Sequence, residues 1–342
     1  MKIALPGIKG EFSNNTGEGV KRYYFELYKG LCNIGVDVDK IESSSILGDI
    51  PSFIIENSLR NYRKYDIVHA PGIRAMKPLS AGIFGMTAHD FRPMLDRVWE
   101  QELPVGVMGR IYKELVLLGF REALKCDFLI CDSSQTKDEA VELGYDKKRA
   151  FVVNLGLDYR FMSPVRHINN KNNFKVGYLG SMSKHKNIKM SINAFKLIKD
   201  PNMMFEIWGQ KVMEYSNLLQ LAGKDKRIIF NGFAPEVKLV EIYDTFDVFV
   251  HCVLSTGFEL ELLEAQARGK PVVIYKYGKV PKEVRKYCIE AEDEEHMAQI
   301  IKGLKENGYN EKQRIKAMEY ARSFTWKRCA EETLKAYMKI LN

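Results

Sequence analysis

The feature that most restricts the fold is an alternation, run through twice, of short β-rich segments with longer helix-like ones. In the first half the strand candidates are Lys2–Leu5, Val36–Ile41, Ile67–Ala70, Gly85–His89, Phe128–Asp132 and Phe151–Asn154. Between them lie helix-like stretches at Gly19–Ile34, Glu56–Arg63, Arg110–Lys125 and Gln135–Leu143. A second series has strand candidates at Lys175–Leu179, Met204–Trp208, Ile228–Phe230, Val248–Val253 and Pro271–Tyr275, with helices at Asn187–Ile198, Lys211–Leu221, Glu236–Thr245 and Glu261–Arg268. Strands joined by helices of this length make βαβ units and parallel sheets. Two such series make two doubly wound α/β domains, which a chain of 342 residues accommodates. The polar run from His167 to Asn173, within 162–173, is the natural linker. The expected domains are therefore 1–163 and 174–325, followed by a helix over 326–342 that Thr325 caps.

Composition narrows the function classes. Hydrophobic residues make up 46% and charged residues 28%, which excludes a wholly disordered or fibrous chain. No apolar run approaches the ~20 residues that span a bilayer. The opening Met1-Lys2-Ile3-Ala4-Leu5-Pro6-Gly7 is too short a stretch for a signal peptide and reads as a first strand. The cytosol is the expected location. The six cysteines form no C-x-x-C pair and read as reduced core thiols, and the six histidines show no metal-ligand spacing. Residues 1–160 carry 22 basic and 22 acidic side chains, so the whole excess of +8 lies in the remainder. A moderately basic half suits an anionic ligand such as a nucleotide diphosphate, or an anionic membrane surface. No arginine-rich arm or aromatic platform argues for nucleic acid.

Four local motifs could carry chemistry. Thr16-Gly17-Glu18-Gly19 stands between the first strand and an amphipathic helix, where amides can face an anion; a plain glycine loop fits as well. Gly180-Ser181-Met182-Ser183-Lys184-His185-Lys186-Asn187 joins a strand to a helix and has the small residues and lysines of a phosphate cradle, or of a solvated turn. Thr256-Gly257-Phe258-Glu259-Leu260 enters a helix that Gly269 ends as its C′ residue. Glu264, inside that otherwise apolar helix, needs a partner, and a ribose diol would serve; a surface helix with three Glu is the simpler alternative. Finally, Met86-Thr87-Ala88-His89-Asp90 places a polar pair at the carboxyl end of a strand, where open α/β sheets bind ligands, though such a histidine is often structural.

In this order and spacing, the set resembles the retaining family-4 glycosyltransferases of the GT-B fold over nearly the whole chain. The resemblance is also carried by Tyr65-Asp66-Ile67-Val68-His69, the run Cys126–Ser134, Asn154-Leu155-Gly156-Leu157-Asp158, Ile229–Phe233, and Ser323-Phe324-Thr325-Trp326. It implies two Rossmann-like domains facing a cleft, with the C-terminal helix crossing back to the first. It implies transfer of a sugar, with retained configuration, from a UDP-, GDP- or ADP-sugar on the second domain to an acceptor on the first. The acceptor would be a glycan, a lipid-linked saccharide or a small molecule.

By the family pattern, Lys186 would pair with the diphosphate and Glu264 would accept the ribose hydroxyls. Gly180 and Ser181 form the phosphate turn, and amides around Phe258–Leu260 would meet the departing phosphate. Gly19 would let the first-domain loop approach, His89 would contact the transferred sugar, and Asp90 the acceptor. No cofactor is implied, and metal is usually dispensable in such enzymes. Three departures stand out: Thr256 where the family has the first Glu of Glu-x7-Glu, Glu259 where it has Gly, and Ser181 where it has Arg. The expectation is that Glu259 partly replaces the missing Glu by turning to the sugar hydroxyls, the alternative being that Glu259 points away and the Thr256 hydroxyl alone contacts the sugar, and that Lys184 offsets the missing Arg. A non-catalytic GT-B subunit that holds a nucleotide sugar, or regulates a partner glycosyltransferase, is the alternative. Arg92–Val107 is the expected acceptor loop. The apolar segment Val105–Phe120 is either the buried face of a helix or a contact for a lipid-linked acceptor or the cytoplasmic face of a membrane.

Overall fold

The computed structural model describes residues 1–7, 19–43, 56–73, 75–95, 106–165, 173–212 and 214–342. Thr16–Glu18, most of the expected acceptor loop and most of the expected linker lie outside them. The chain divides into two compact units, Met1–Gly156 with Phe324–Asn342, and Leu157–Ser323. The division precedes the expected linker because Arg268 binds the carbonyls of Phe161, Ser163 and Pro164, which fastens these residues to the second unit.

The first unit holds six parallel strands, β1 (Lys2–Gly7), β2 (Asp37–Glu42), β3 (Ile67–Ala70), β4 (Ile83–Ala88), β5 (Phe128–Cys131) and β6 (Ala150–Val152). Their order is β2-β1-β3-β4-β5-β6. The inner strands β3 and β5 are buried at every position, as parallel strands covered on both faces must be. The edge strand β2 instead alternates buried Val38 with charged and exposed neighbours, which discourages pairing with another chain.

The helix Trp326–Leu341 belongs to this first unit, as expected. The Thr325 hydroxyl accepts the Arg328 N–H at 3.2 Å, satisfying one of the free amides at the helix start. Gly30 lets the helix approach Gly19–Asn33 closely, since a Cβ there would stand 2.9 Å from that of Ala330. Inside, His69 of β3 joins Tyr337 through Nδ1 at 2.6 Å and Thr87 through Nε2 at 2.8 Å, so the helix is tied to the sheet by buried polar bonds.

The second unit repeats the plan with β7 (Phe174–Leu179), β8 (Met203–Trp208), β9 (Ile228–Gly232), β10 (Val248–His251), β11 (Val272–Tyr275) and β12 (Ile289–Ala291), ordered β12-β11-β10-β7-β8-β9. The three-residue β12 is absent from the sequence reading. A core cluster on one face of this sheet takes alternate residues from its strands and fully encloses Tyr178, Ile192, Phe195, Phe205 and Val250. Gly269, with φ +68°, takes the left-handed conformation of a helix C′ residue.

Candidate functional site

The second sheet reverses its winding between β7 and β10, which lie side by side although two strands separate them in the chain. Connections leave the carboxyl ends of these two strands in opposite directions, the usual place for a ligand in an open α/β sheet. The loop after β7 carries Gly180 to Lys186, and the loop after β10 carries Thr256 and Glu259. A backbone bond from Leu254 N to His185 O, 2.8 Å long, ties the two together. The β7 loop is pressed against the next one: a Cβ on Gly209 would fall 1.7 Å from the Gly180 carbonyl oxygen. Only glycine fits there.

The loop then turns through a short 3-10 helix, Lys184–Lys186, into Asn187 with φ 50° and the helix Ile188–Leu197. Asn187 is the non-glycine residue that adopts positive φ among the described residues, a conformation asparagine tolerates better than most. The turn buries Lys186, whose Nζ donates to both oxygens of Glu259 at 2.6 and 2.7 Å. The same carboxylate accepts from His251 Nε2 at 2.9 Å and from the Thr256 hydroxyl. Only 4% of the Glu259 side chain is exposed. Burial works against its charge, but the Lys186 ammonium and the His251 N–H prevail and hold the carboxyl well below its ordinary range. Thus Lys186, Thr256 and Glu259 meet in one cluster, with Glu259 turned to the lysine.

His251 was not among the expected site residues, because a histidine ending the apolar strand Val248–His251 reads as core. It is fully enclosed and stacked between Tyr178 and Phe249, with ring centroids 5.4 and 5.8 Å away. Burial lowers its basicity, and the hydrogen on Nε2 that Glu259 requires leaves Nδ1 bare. That Nδ1 has no hydrogen-bond partner among the described residues.

The helix Leu260–Ala267 follows directly; the Leu262 amide donates to the Glu259 carbonyl at 3.3 Å, and the amides before it precede the helix's own ladder. Leu260 is buried and Phe258 half-buried beside them. Glu264 lies on the inner face, 3% exposed, and accepts the Tyr243 hydroxyl at 3.0 Å. Glu261, the next carboxylate along the chain from Glu259, is half-buried. Its Oε1 lies 3.7 Å from where a Cβ on Gly180 would stand. Burial, reinforced by the neighbouring Glu259 charge, lifts it to about 8. Ser181 bonds Ser183 through its hydroxyl at 2.7 Å, and its carbonyl accepts from Tyr178. Lys184, expected to offset the missing arginine, lines a cavity of about 730 Å³ with Ser183, Asn187 and Lys189, beside the turn.

In the first unit, His89 follows β4 and is fixed from two sides. Nδ1 faces the buried Asp132 at 3.3 Å, Nε2 faces the Pro71 carbonyl at 3.3 Å, and the ring meets Tyr23 edge-on. Asp132 also accepts from the Thr136 hydroxyl at 2.9 Å, while burial raises its carboxyl above the ordinary range. Asp90 is paired with Arg92 at 3.1 Å. His89, Asp90 and Arg92 line a cavity of about 210 Å³ together with Tyr112, Val116 and Phe120. Glu139, near Asp90 and Asp132, is lifted to about 7 mainly by burial. The helix Val107–Ala123 buries Phe120 and Ala123 but exposes Val107, Ile111 and Tyr112, so its apolar face is buried only toward its C-terminal end. Gly19 opens the helix Gly19–Asn33 with clear space where a Cβ would stand. Among the described residues there is no cluster of metal-ligating side chains, and no helix is long and apolar enough to cross a membrane.

Comparison with known proteins bears on both units. Residues 163–324 match the family model described as glycosyl transferases group 1. The chain is 27% identical over 169 residues to the O-antigen chain mannosyltransferase B of Escherichia coli, covering 47% of this chain and 44% of that protein. It therefore spans less than half the length of that relative. Sucrose-phosphate synthase from Thermosynechococcus elongatus superposes with a TM-score of 0.75 at 17% identity, covering 99% of this chain and 98% of the other. Anabaena HepE, solved in complex with UDP-glucose, superposes with a TM-score of 0.70 at 15% identity, covering 99% and 100%. WaaG, a glycosyltransferase involved in lipopolysaccharide biosynthesis, superposes with a TM-score of 0.68 at 15% identity, covering 98% of this chain and 99% of the other, and the fold is the GT-B fold expected from the sequence.

Proposed function

We propose that this protein, whose residues 163–324 match the family model described as glycosyl transferases group 1, moves a sugar from a nucleotide-sugar donor to a saccharide or lipid-linked acceptor with retention of configuration. The observation that carries this reading is the convergence of Lys186 and the start of the helix Leu260–Ala267 at the switch point of the second sheet. A cation beside the amides that open a helix is suited to a diphosphate. The diphosphate lies on the Gly180–Ser181 turn, with the Phe258–Leu260 amides meeting its charge as the bond to the sugar breaks. Glu264, oriented by Tyr243, accepts a ribose hydroxyl. His89, held by Asp132, contacts the transferred sugar, and Asp90 the acceptor. The departing diphosphate takes the acceptor's proton on the face it leaves, so configuration is kept without a protein nucleophile, and neither cofactor nor metal is needed. Proximity of HepE, crystallised with UDP-glucose, makes a UDP-sugar the first donor to try.

The test is thermal. With a nucleoside diphosphate at a hundred times its Kd, linkage stabilises the protein by about 2.7 kcal/mol, a measurable rise in Tm. If UDP, GDP and ADP species at millimolar concentration all leave the melt unmoved, the donor-site assignment falls. One observation favours a binding or regulatory subunit instead: Lys186 and Glu259 already neutralise each other.

Glu261 makes donor binding pH-dependent. Below pH 8 its carboxyl is largely protonated and neutral; above pH 8 it is an anion beside the phosphate turn. Affinity for UDP-glucose, whose own diphosphate does not titrate in this range, is expected to fall three- to tenfold, roughly, between pH 7 and 9. Titrations at both pH values check this, and Glu261→Gln should flatten the dependence.

A further inference from the structure

We propose that Glu259 is a built-in anion: its carboxylate occupies the phosphate position on Lys186, and a phosphate-bearing ligand reaches that lysine only by displacing it. The inference rests on the donor site proposed above and concerns how that site is regulated. A carboxylate offers about four lone-pair positions, and here all are met. Two bonds come from the Lys186 ammonium, one from His251 Nε2 and one from the Thr256 hydroxyl. The arrangement copies what a bound phosphate would receive: a cation, a hydroxyl and a ring N–H converging on clustered oxygens.

The cluster is held ready by its surroundings rather than assembled by chance. His251 is fully enclosed and stacks on both Tyr178 and Phe249, which fixes the plane of its ring. The loops carrying Lys186 and Glu259 are joined by the Leu254–His185 backbone bond. Displacement also has a defined end state. If a ligand phosphate draws Lys186 away, Glu259 retains two of its donors, His251 and Thr256, which offset part of the cost of parting the pair. The cluster thus lowers affinity for anions without abolishing it, and it favours ligands carrying enough phosphate charge to compete with a buried carboxylate.

Inorganic pyrophosphate, titrated calorimetrically into the full chain, isolates this effect. Glu259→Gln keeps the shape and removes the charge, and it should bind pyrophosphate at least tenfold more tightly than the parent. The double variant Glu259→Gln with Lys186→Met should lose that gain. Equal or weaker binding by Glu259→Gln overturns the proposal. Should that variant fail to fold, Thr256→Val removes one hydrogen bond from the same carboxylate and should tighten pyrophosphate binding about threefold; unchanged affinity there also overturns it. A panel of UDP-, GDP- and ADP-sugars separates the two ideas. Gain for pyrophosphate with no response to any nucleotide sugar leaves the internal anion standing and defeats the donor reading. Nucleotide binding with no gain in Glu259→Gln defeats the internal anion alone.

Discussion

Arg268→Ala is expected to destabilise the second unit by about 3–5 kcal/mol, the cost of stranding one partner of a buried ion pair. The guanidinium is 1% exposed as a residue, and it meets both oxygens of Asp244 at 2.8 Å. It also donates to the carbonyls of Ser163 at 2.7 Å and Pro164 at 3.0 Å. Alanine removes all of these and leaves the buried Asp244 carboxylate without the guanidinium that meets both its oxygens. Urea unfolding followed by circular dichroism measures the loss; a change below about 1 kcal/mol would mean that water replaces the arginine and that the pair does not hold residues 161–164 to the unit. Replacing both partners, Arg268→Met with Asp244→Leu, should recover most of the stability, because neither charge is then buried alone.

The second large effect is on transfer. His89→Ala is expected to lower the transfer rate roughly ten- to a hundredfold, the worth of a hydrogen bond of about 1.5–3 kcal/mol to the reacting sugar. Nucleotide affinity should stay within about twofold, because the Lys186 turn and the Leu260–Ala267 helix belong to the other unit. Rates need comparing well below the melting temperature, since alanine also leaves Asp132 with one hydrogen-bond donor fewer. Turnover equal to the parent's would remove His89 from the chemistry.

Much of the architecture is legible in local pattern. Eleven of the twelve strands are legible as β-rich runs between turns, and the exception, β12, spans only Ile289–Ala291. Thr325 and Gly269 mark helix ends through chemistry that operates within three or four residues. The wiring of the site is another matter. Lys186 and Glu259 are 73 residues apart, and no local pattern says that the lysine will be taken by a carboxylate rather than left for a ligand. Nor does sequence distinguish Glu259, Glu261 and Glu264. One is ion-paired, one is lifted to about 8 by burial, and one is bonded to Tyr243. His251 escaped notice because its strand reads as core, and it is core: its function is to donate one buried hydrogen bond. The single cue available was a glutamate where the resembled family has glycine, which flags the position without revealing where the side chain goes.

The central claim is that the protein turns over a nucleotide sugar, and nucleoside diphosphate release tests it most directly. The protein is incubated with UDP-, GDP- and ADP-sugars, first alone and then with saccharide and lipid-linked acceptors, while free diphosphate is followed. The account predicts slow release from at least one donor without acceptor, acceleration by a suitable acceptor, and loss of both in Lys186→Ala. Tight binding of a nucleotide sugar with no release under any of these conditions would contradict it and leave a binding subunit in its place.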